Sequence, residues 1–188
     1  MEIESKDIPL ADGILLCLSH ADHAEDLFHA VMDNHNHLAQ FLPWVAKMES
    51  VNDYTNYLRN CVLDRVDGKE LSYNIFRHGR LVGRIGFNAI DNNNNHTAIG
   101  YWLIEDAQGE GIITKGCTKL LELAFTRLNL NRVEILCATE NTRSAAIPKR
   151  LGFTKEGVLR QVEKIGNRYL DLQVFSILKE EWLNSNLK

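Results

Sequence analysis

What the chain lacks narrows it before any motif does. Its four cysteines, Cys17, Cys61, Cys117 and Cys137, include no C-x-x-C pair, so neither a disulfide framework nor a cysteine-based zinc spacing can be read from them. Three fall inside apolar strand or helix patterns and read as buried free thiols, which suits a reducing cytoplasm. Met1 to Leu10 carries acids and no long apolar run, so neither a signal peptide nor a membrane span is expected there. An excess of basic residues is missing too: the formal net charge is −4, which argues against nucleic acid as the main partner and suits a cationic one. Repeats, linkers and low-complexity tracts are absent apart from the run Asp91-Asn92-Asn93-Asn94-Asn95. With 45% hydrophobic and 24% charged residues, the 188-residue chain is expected to be an ordinary soluble globular protein. Its length fits a single domain over residues 1–188 with a core of its own.

Hydrophobic periodicity lays out the elements. Gly13 to Leu18 predicts a first strand, and Ser19 stands where it can cap a helix over about 20–34, with Leu27, Phe28, Val31 and Met32 on its apolar side. His20, His23, His29, His35 and His37 crowd this region, but no cysteine or carboxylate completes a zinc spacing. They read as solvated helix residues, and no metal is expected. In Asn34 to Trp44, large apolar residues alternate with polar ones and Pro43 forces an extended or turning chain. The segment reads either as a wall on a substrate side or as an aromatic cover on the core. A helix over about 51–66 follows.

Runs at 71–76 and 80–87 around Arg77-His78-Gly79 predict a β-hairpin, and a strand at 97–104 returns from the asparagine loop. After a long helix come a strand at 132–138, a short helix ending near Leu151 and Gly152, and two strands at about 157–164 and 168–178 joined by Gly166-Asn167. Glu180 begins a final turn. The strand before the long helix and the strand after it form a parallel β-α-β step. The fold class is therefore mixed α/β, a mostly antiparallel sheet of about seven strands flanked by helices.

The stretch that organises the rest is 99–128. An apolar strand passes through Glu105-Asp106-Ala107 into Gln108-Gly109-Glu110-Gly111, and then Ile112, Ile113, Cys117, Leu120, Leu121, Ala124, Phe125 and Leu128 recur at spacings of three and four. A helix start carries unpaired N–H groups and the positive end of the macrodipole, so it can seat a phosphate, and glycines let that phosphate approach. A tight turn with no ligand is the alternative. A Walker A loop needs Gly-Lys-Ser/Thr after its last glycine, where this chain has Gly111-Ile112-Ile113. A dinucleotide fingerprint needs a third glycine, where Thr114 stands.

The remaining pattern, Gln108-x-x-Gly111-x-Ile113, resembles the acetyl-coenzyme A loop of the GNAT superfamily of N-acetyltransferases, with Ile113 where that family usually keeps Gly or Ala. A β-branched residue there limits how closely a pyrophosphate can lie. A second stretch, Asn141-x-x-Ser144 before Gly152-Phe153, matches a second motif of the family, and the likeness spans about residues 70–178. Within the superfamily the chain is most similar to the ribosomal-protein serine and alanine N-terminal acetyltransferases, Leu42-Pro43-Trp44 included. That resemblance implies acetyl transfer from acetyl-coenzyme A to a protein α-amine.

The resemblance also implies a site. Gln108, Gly109, Glu110, Gly111, Ile112, Ile113 and Thr114 would supply donors for the pyrophosphate. The backbone of Tyr101, Trp102 and Leu103, with a bulge near Gly100, would open a gap for the pantetheine arm and offer an oxyanion donor. Asn141 would position the cofactor or the short helix, with Lys115, Arg143, Lys149 or Arg150 near the phosphates. Glu163 takes the place of the family's catalytic glutamate as base, and Ser144 is the candidate acid for the leaving thiolate. A solvated strand carboxylate and a first-turn hydroxyl are the alternatives. Pro148 has no N–H for the carbonyl of Ser144, which is left free.

The attacking amine must be neutral. An α-amine of pKa about 8 is roughly a tenth neutral at pH 7, whereas a lysine near 10.4 must be lowered by about 3 pH units, about 4 kcal/mol. Two alternatives stand beside protein N-terminal acetylation: transfer to a small amine such as a polyamine or aminoglycoside, and a non-catalytic acyl-coenzyme A binding protein. The edge strands near the C-terminus are compatible with a homodimer or with a covered edge.

Overall fold

The computed structural model describes residues 6–11 and 13–185; the segment 1–5, part of the stretch read above for a leader, lies outside the described residues. Eight strands among these residues form one sheet: β1 (Ile8–Ala11), β2 (Ile14–Leu18), β3 (Leu71–Arg77), β4 (Arg80–Asp91), β5 (His96–Leu103), β6 (Arg132–Ala138), β7 (Thr154–Ile165) and β8 (Arg168–Leu178). They lie in the order β1-β2-β3-β4-β5-β6-β8-β7. All neighbours are antiparallel except β5 and β6, which run parallel. The strand beyond the expected seven is β1, a four-residue edge strand with Pro9 inside it; a proline is tolerated there because an edge leaves its missing N–H unneeded.

Helices cover both faces. On one lie α1 (Ala24–Met32), the four-residue α2 (His35–Leu38) and α3 (Val51–Val66); on the other lie α4 (Ile112–Thr126), α5 (Thr142–Arg150) and α6 (Lys179–Asn184). None of the described helices is long and apolar enough to cross a membrane. The α4 stripe is fully inside, with Cys117, Leu120, Leu121 and Ala124 at 0% exposure, each large apolar side chain contributing about 1.5–3 kcal/mol by burial. Ser50 and Asp53 close a capping box on α3, which fixes where that helix starts.

The first helix begins differently from expectation. Ser19 does not cap it: Ser19 is buried and accepts from the Arg84 guanidinium at 3.1 Å. The ring of His20 accepts from the Asp22 N–H instead, and a 3-10 turn over Ala21–His23 precedes α1. The histidines are not simply solvated either. His23 meets the buried Asn74 side chain at 2.9 Å and His37 meets Gln108 at 2.7 Å. Among the described residues, no group of three His, Cys, Asp or Glu side chains is arranged to hold a metal ion.

Candidate active site

The site is built where β5 and β6 part. They pair only at His96↔Arg132, Thr97↔Val133 and Ala98↔Glu134, after which the two strands separate toward their C-terminal ends. The expected bulge at Gly100 is not there: β4 and β5 stay in register from Gly83↔Leu103 to Asn88↔Ala98, and the irregularity falls between Asn88 and Asp91, at Ala89 with φ 50. Divergence of the parallel pair, rather than an extra residue in β5, makes the gap. A Cβ at Gly100 would meet only the end of the exposed Asn88 side chain, at 2.5 Å.

The ladder decides which peptide groups face the gap. The Ile104 N–H donates to the Val82 carbonyl at 2.9 Å, and alternation along the antiparallel pair then turns Trp102 and Gly100 toward β4. Ile99, Tyr101 and Leu103 are left with N–H and C=O directed at the split. So of the three residues named from the sequence, Tyr101 and Leu103 present their backbones and Trp102 does not. Its indole packs beside Trp44 instead, ring centroids 6.1 Å apart, on the face that carries α1 and α3.

At the same end of β5 the chain enters the glycine turn. Gly109 and Gly111 have φ 87 and 73, and a Cβ on either would meet nothing within 4 Å, so their backbone conformation, not crowding, calls for glycine. Among the described residues no side chain caps α4, which leaves the N–H groups of Gly111, Ile112, Ile113 and Thr114 for an incoming anion. Ile113 is 6% exposed and packs in the core, so its branched side chain does not stand in this mouth. Lys115, Arg143, Lys149 and Arg150 are exposed around it, with Arg150 donating to Thr114 Oγ1 at 2.8 Å. These features fit a diphosphate.

Sequence reasoning missed what holds the turn in place. Arg77 reaches from the β3 end to Glu110, to the Asp106 carbonyl at 3.3 Å and to the Asp106 carboxylate at 3.5 Å, while Arg80 reaches the same carboxylate at 2.8 Å. The two arginines flank the β3–β4 hairpin and neutralise acids that would otherwise repel a phosphate. Their hairpin spacing was visible, but their partners lie some thirty residues on in the chain and no local pattern joins them.

Ser144 and Glu163 lie on opposite faces of the sheet. On the α4 face, Asn141 caps α5 by accepting from the Ser144 N–H at 3.0 Å. The Ser144 carbonyl freed by Pro148 accepts from Tyr101 Oη at 3.1 Å, and Ser144 Oγ donates back to Tyr101 Oη at 3.2 Å. Burial drives the Tyr101 phenol well above its ordinary range, so it stays a neutral donor. Cys137 adjoins Ser144 here, its thiol pushed up by burial. On the other face, Glu163 stands opposite the buried Leu170, and directly opposed residues share a face. Just before it β7 carries extra residues between Leu159 and Glu163, with Gln161 at φ 52 donating its N–H to Asp171 at 2.8 Å. Such a bulge re-aims the side chain that follows. Burial raises the Glu163 carboxyl above its usual range.

Comparison with known proteins agrees with this geometry. Residues 14–154 match the acetyltransferase (GNAT) domain family. The chain is 32% identical over 172 residues to the putative ribosomal N-acetyltransferase YdaF of Bacillus subtilis (strain 168), covering 91% of this chain and 94% of that one. Among solved structures, the ribosomal L7/L12 α-N-protein acetyltransferase RimL in complex with coenzyme A superposes with a TM-score of 0.88 at 28% identity, covering 93% of this chain and 99% of that one. The microcin C7 self-immunity acetyltransferase MccE in complex with acetyl-CoA and AMP superposes with a TM-score of 0.87 at 28% identity, over 94% and 98% of the two chains. The chain belongs to the GNAT acetyltransferase family.

Proposed function

We propose that this enzyme moves the acetyl group of acetyl-coenzyme A to the N-terminal α-amine of a ribosomal or similar protein by direct attack on the thioester. The observation that carries the reading is the split itself, with an open helix start at its mouth and one candidate proton carrier on each face. The pyrophosphate rests on the amides of residues 109–114, helped by the dipole of α4. The pantetheine arm lies between β5 and β6 as a short strand against the peptide groups of Ile99, Tyr101 and Leu103.

The acceptor amine enters from the face of Glu163, Trp44 and Trp102. Its nitrogen bonds to the thioester carbon, and a main-chain N–H in the split holds the oxyanion. The C–S bond then breaks, the thiolate takes the Ser144 proton as Ser144 recovers one from solvent water, and Glu163 takes the proton lost by the amine, directly or through water, and releases it to solvent. Acid and base at separate positions suit this addition–elimination, because the amine adds to one face of the planar thioester while the sulfur leaves the tetrahedral intermediate along a different bond. Names of YdaF and RimL support a ribosomal acceptor; the lighter deprotonation demand of an α-amine supports it independently.

Thiol release from acetyl-coenzyme A, followed by mass spectrometry of the product, tests the assignment with peptides bearing a free or a blocked N-terminal Ser or Ala and with spermidine. Turnover on free N-termini alone is expected. Ordinary turnover on the polyamine would move the acceptor to small amines, and no turnover with tight coenzyme A binding would leave a binding protein. A second copy of the chain is proposed to pair along the exposed edge of β7, and the reducing cytoplasm is its proposed setting.

A further inference from the structure

The helix α2 touches the glycine turn at two points. Asn34 Oδ1 accepts from the Glu105 N–H at 3.2 Å, and His37 Nε2 lies 2.7 Å from Gln108 Nε2. On its other side Gln108 Oε1 accepts from Arg143 Nη1 at 2.6 Å. A single side-chain amide therefore joins α2 to α5 across the loop.

Chemistry fixes the protons in this chain. A guanidinium has only donors, so the end of Gln108 that meets Arg143 must be its oxygen. The end that meets His37 is then NH2, which only donates, and His37 Nε2 must hold a lone pair. The imidazole satisfies this as the neutral ring with its proton on Nδ1. A protonated His37 has no lone pair to offer, and Gln108 cannot turn its oxygen toward it without presenting NH2 to Arg143.

We infer that His37 is a positioning residue for the cofactor loop, and that Gln108 makes the grip on coenzyme A depend on the proton state of His37. The inference rests on the acetyl-coenzyme A reading of the loop. The charged and titratable groups around His37 are Arg143, reached through Gln108; Glu105, whose N–H Asn34 binds; and Arg168 of β8, which donates to the Gln40 carbonyl at 2.8 Å and pairs with Glu140 at 3.3 Å. Asp33 and His35 flank it on its own turn. Arg143 is the one tied to it by hydrogen bonds, through Gln108. The bridge needs the lone pair of the neutral ring and cannot form with a protonated one; reciprocally, coenzyme A bound through an intact bridge favours the neutral ring.

Calorimetric titration of coenzyme A into the intact protein between about pH 5.5 and pH 8 tests this with wild type, His37→Gln and Arg143→Met, each checked for folding in the same buffers. Glutamine at 37 offers an acceptor oxygen that does not titrate. Wild type and His37→Gln are expected to bind alike at the alkaline end, with wild type weakening roughly threefold to tenfold more toward acid pH, the scale of one hydrogen bond. In Arg143→Met, Gln108 is free to turn its oxygen to a protonated ring, so the extra weakening disappears. Titration of the ligand's own phosphate is common to wild type and His37→Gln and drops out of their comparison. Parallel curves for wild type and His37→Gln overturn the inference alone, whereas no binding by wild type at any pH overturns the cofactor reading and the inference with it.

Discussion

At Glu163 two demands pull against each other. Burial raises its carboxyl and so brings it closer to the amine it is proposed to deprotonate, but the same burial makes the ionised form costly to the fold. A carboxyl raised in the folded state contributes stability that is fully present below its unfolded pKa and is lost as pH rises through the folded value. Glu163→Gln is therefore expected to lower kcat/KM by about 100-fold or more while leaving the melting temperature unchanged or higher, with the gain larger at pH 8 than at pH 5. Thiol-release kinetics and thermal melts at the two pH values check both halves. Tyr101 is the other residue whose side chain decides something, through its two hydrogen bonds to Ser144. Tyr101→Phe is expected to cost about 1 kcal/mol in urea unfolding and to reduce kcat several-fold with little change in the KM for acetyl-coenzyme A. The sequence pointed to the Tyr101 backbone alone; the free Ser144 carbonyl announced by Pro148 was a signal that some donor had to come to it.

Among the elements, those with a one-sided apolar stripe were the legible ones. The helix α4 and the hairpin β3–β4 follow the predicted spans closely because periodicity and a tight turn are local properties. The edges were harder. In β7 the residues Thr154, Lys155 and Glu156 are exposed, so no alternation marks where the strand begins, and it starts three residues before expectation. Its bulge is a matter of register against β8, which no single segment encodes. What secures this outer strand is ionic. Arg132 of β6 reaches Glu156 through paired bonds of 2.6 Å, and Ser176 of β8 donates to the same carboxylate at 2.7 Å. Arg132 and Ser176 hold Glu156 down to about 2. The stability this contributes is present above the unfolded value near 4.3 and fades as pH falls toward the folded one. Glu156→Gln is expected to cost up to about 1 kcal/mol at neutral pH, solvent screening included, and nothing near pH 2. Chemical denaturation across that range measures it.

For the whole molecule, β7 is the side left open. It runs twelve residues along the sheet edge with Val158 43% and Val162 54% exposed among charged neighbours, and an unpaired edge of that length is open to a second chain. Sedimentation is expected to show a dimer at micromolar concentration that Val158→Lys shifts to monomer, with the monomer retaining its fold by circular dichroism. Fold class and the two family motifs were readable because each sits in one continuous stretch. The pairing of faces was not, since Glu163 and Trp102 fall on the same face of the sheet only through the register of four different strands.

The parting of β5 from β6 has a consequence for how such an enzyme can diversify. A carrier arm recognised by peptide groups is recognised by something every residue except proline possesses, so exchange of side chains along the cleft alters its packing without deleting the ladder that holds the donor. On the proposed reading, acceptor choice sits elsewhere, on the two tryptophans and the kinked outer strand, where single replacements do change what is met. Donor and acceptor preference can therefore drift separately, and one scaffold can keep its acetyl source while trading one amine for another.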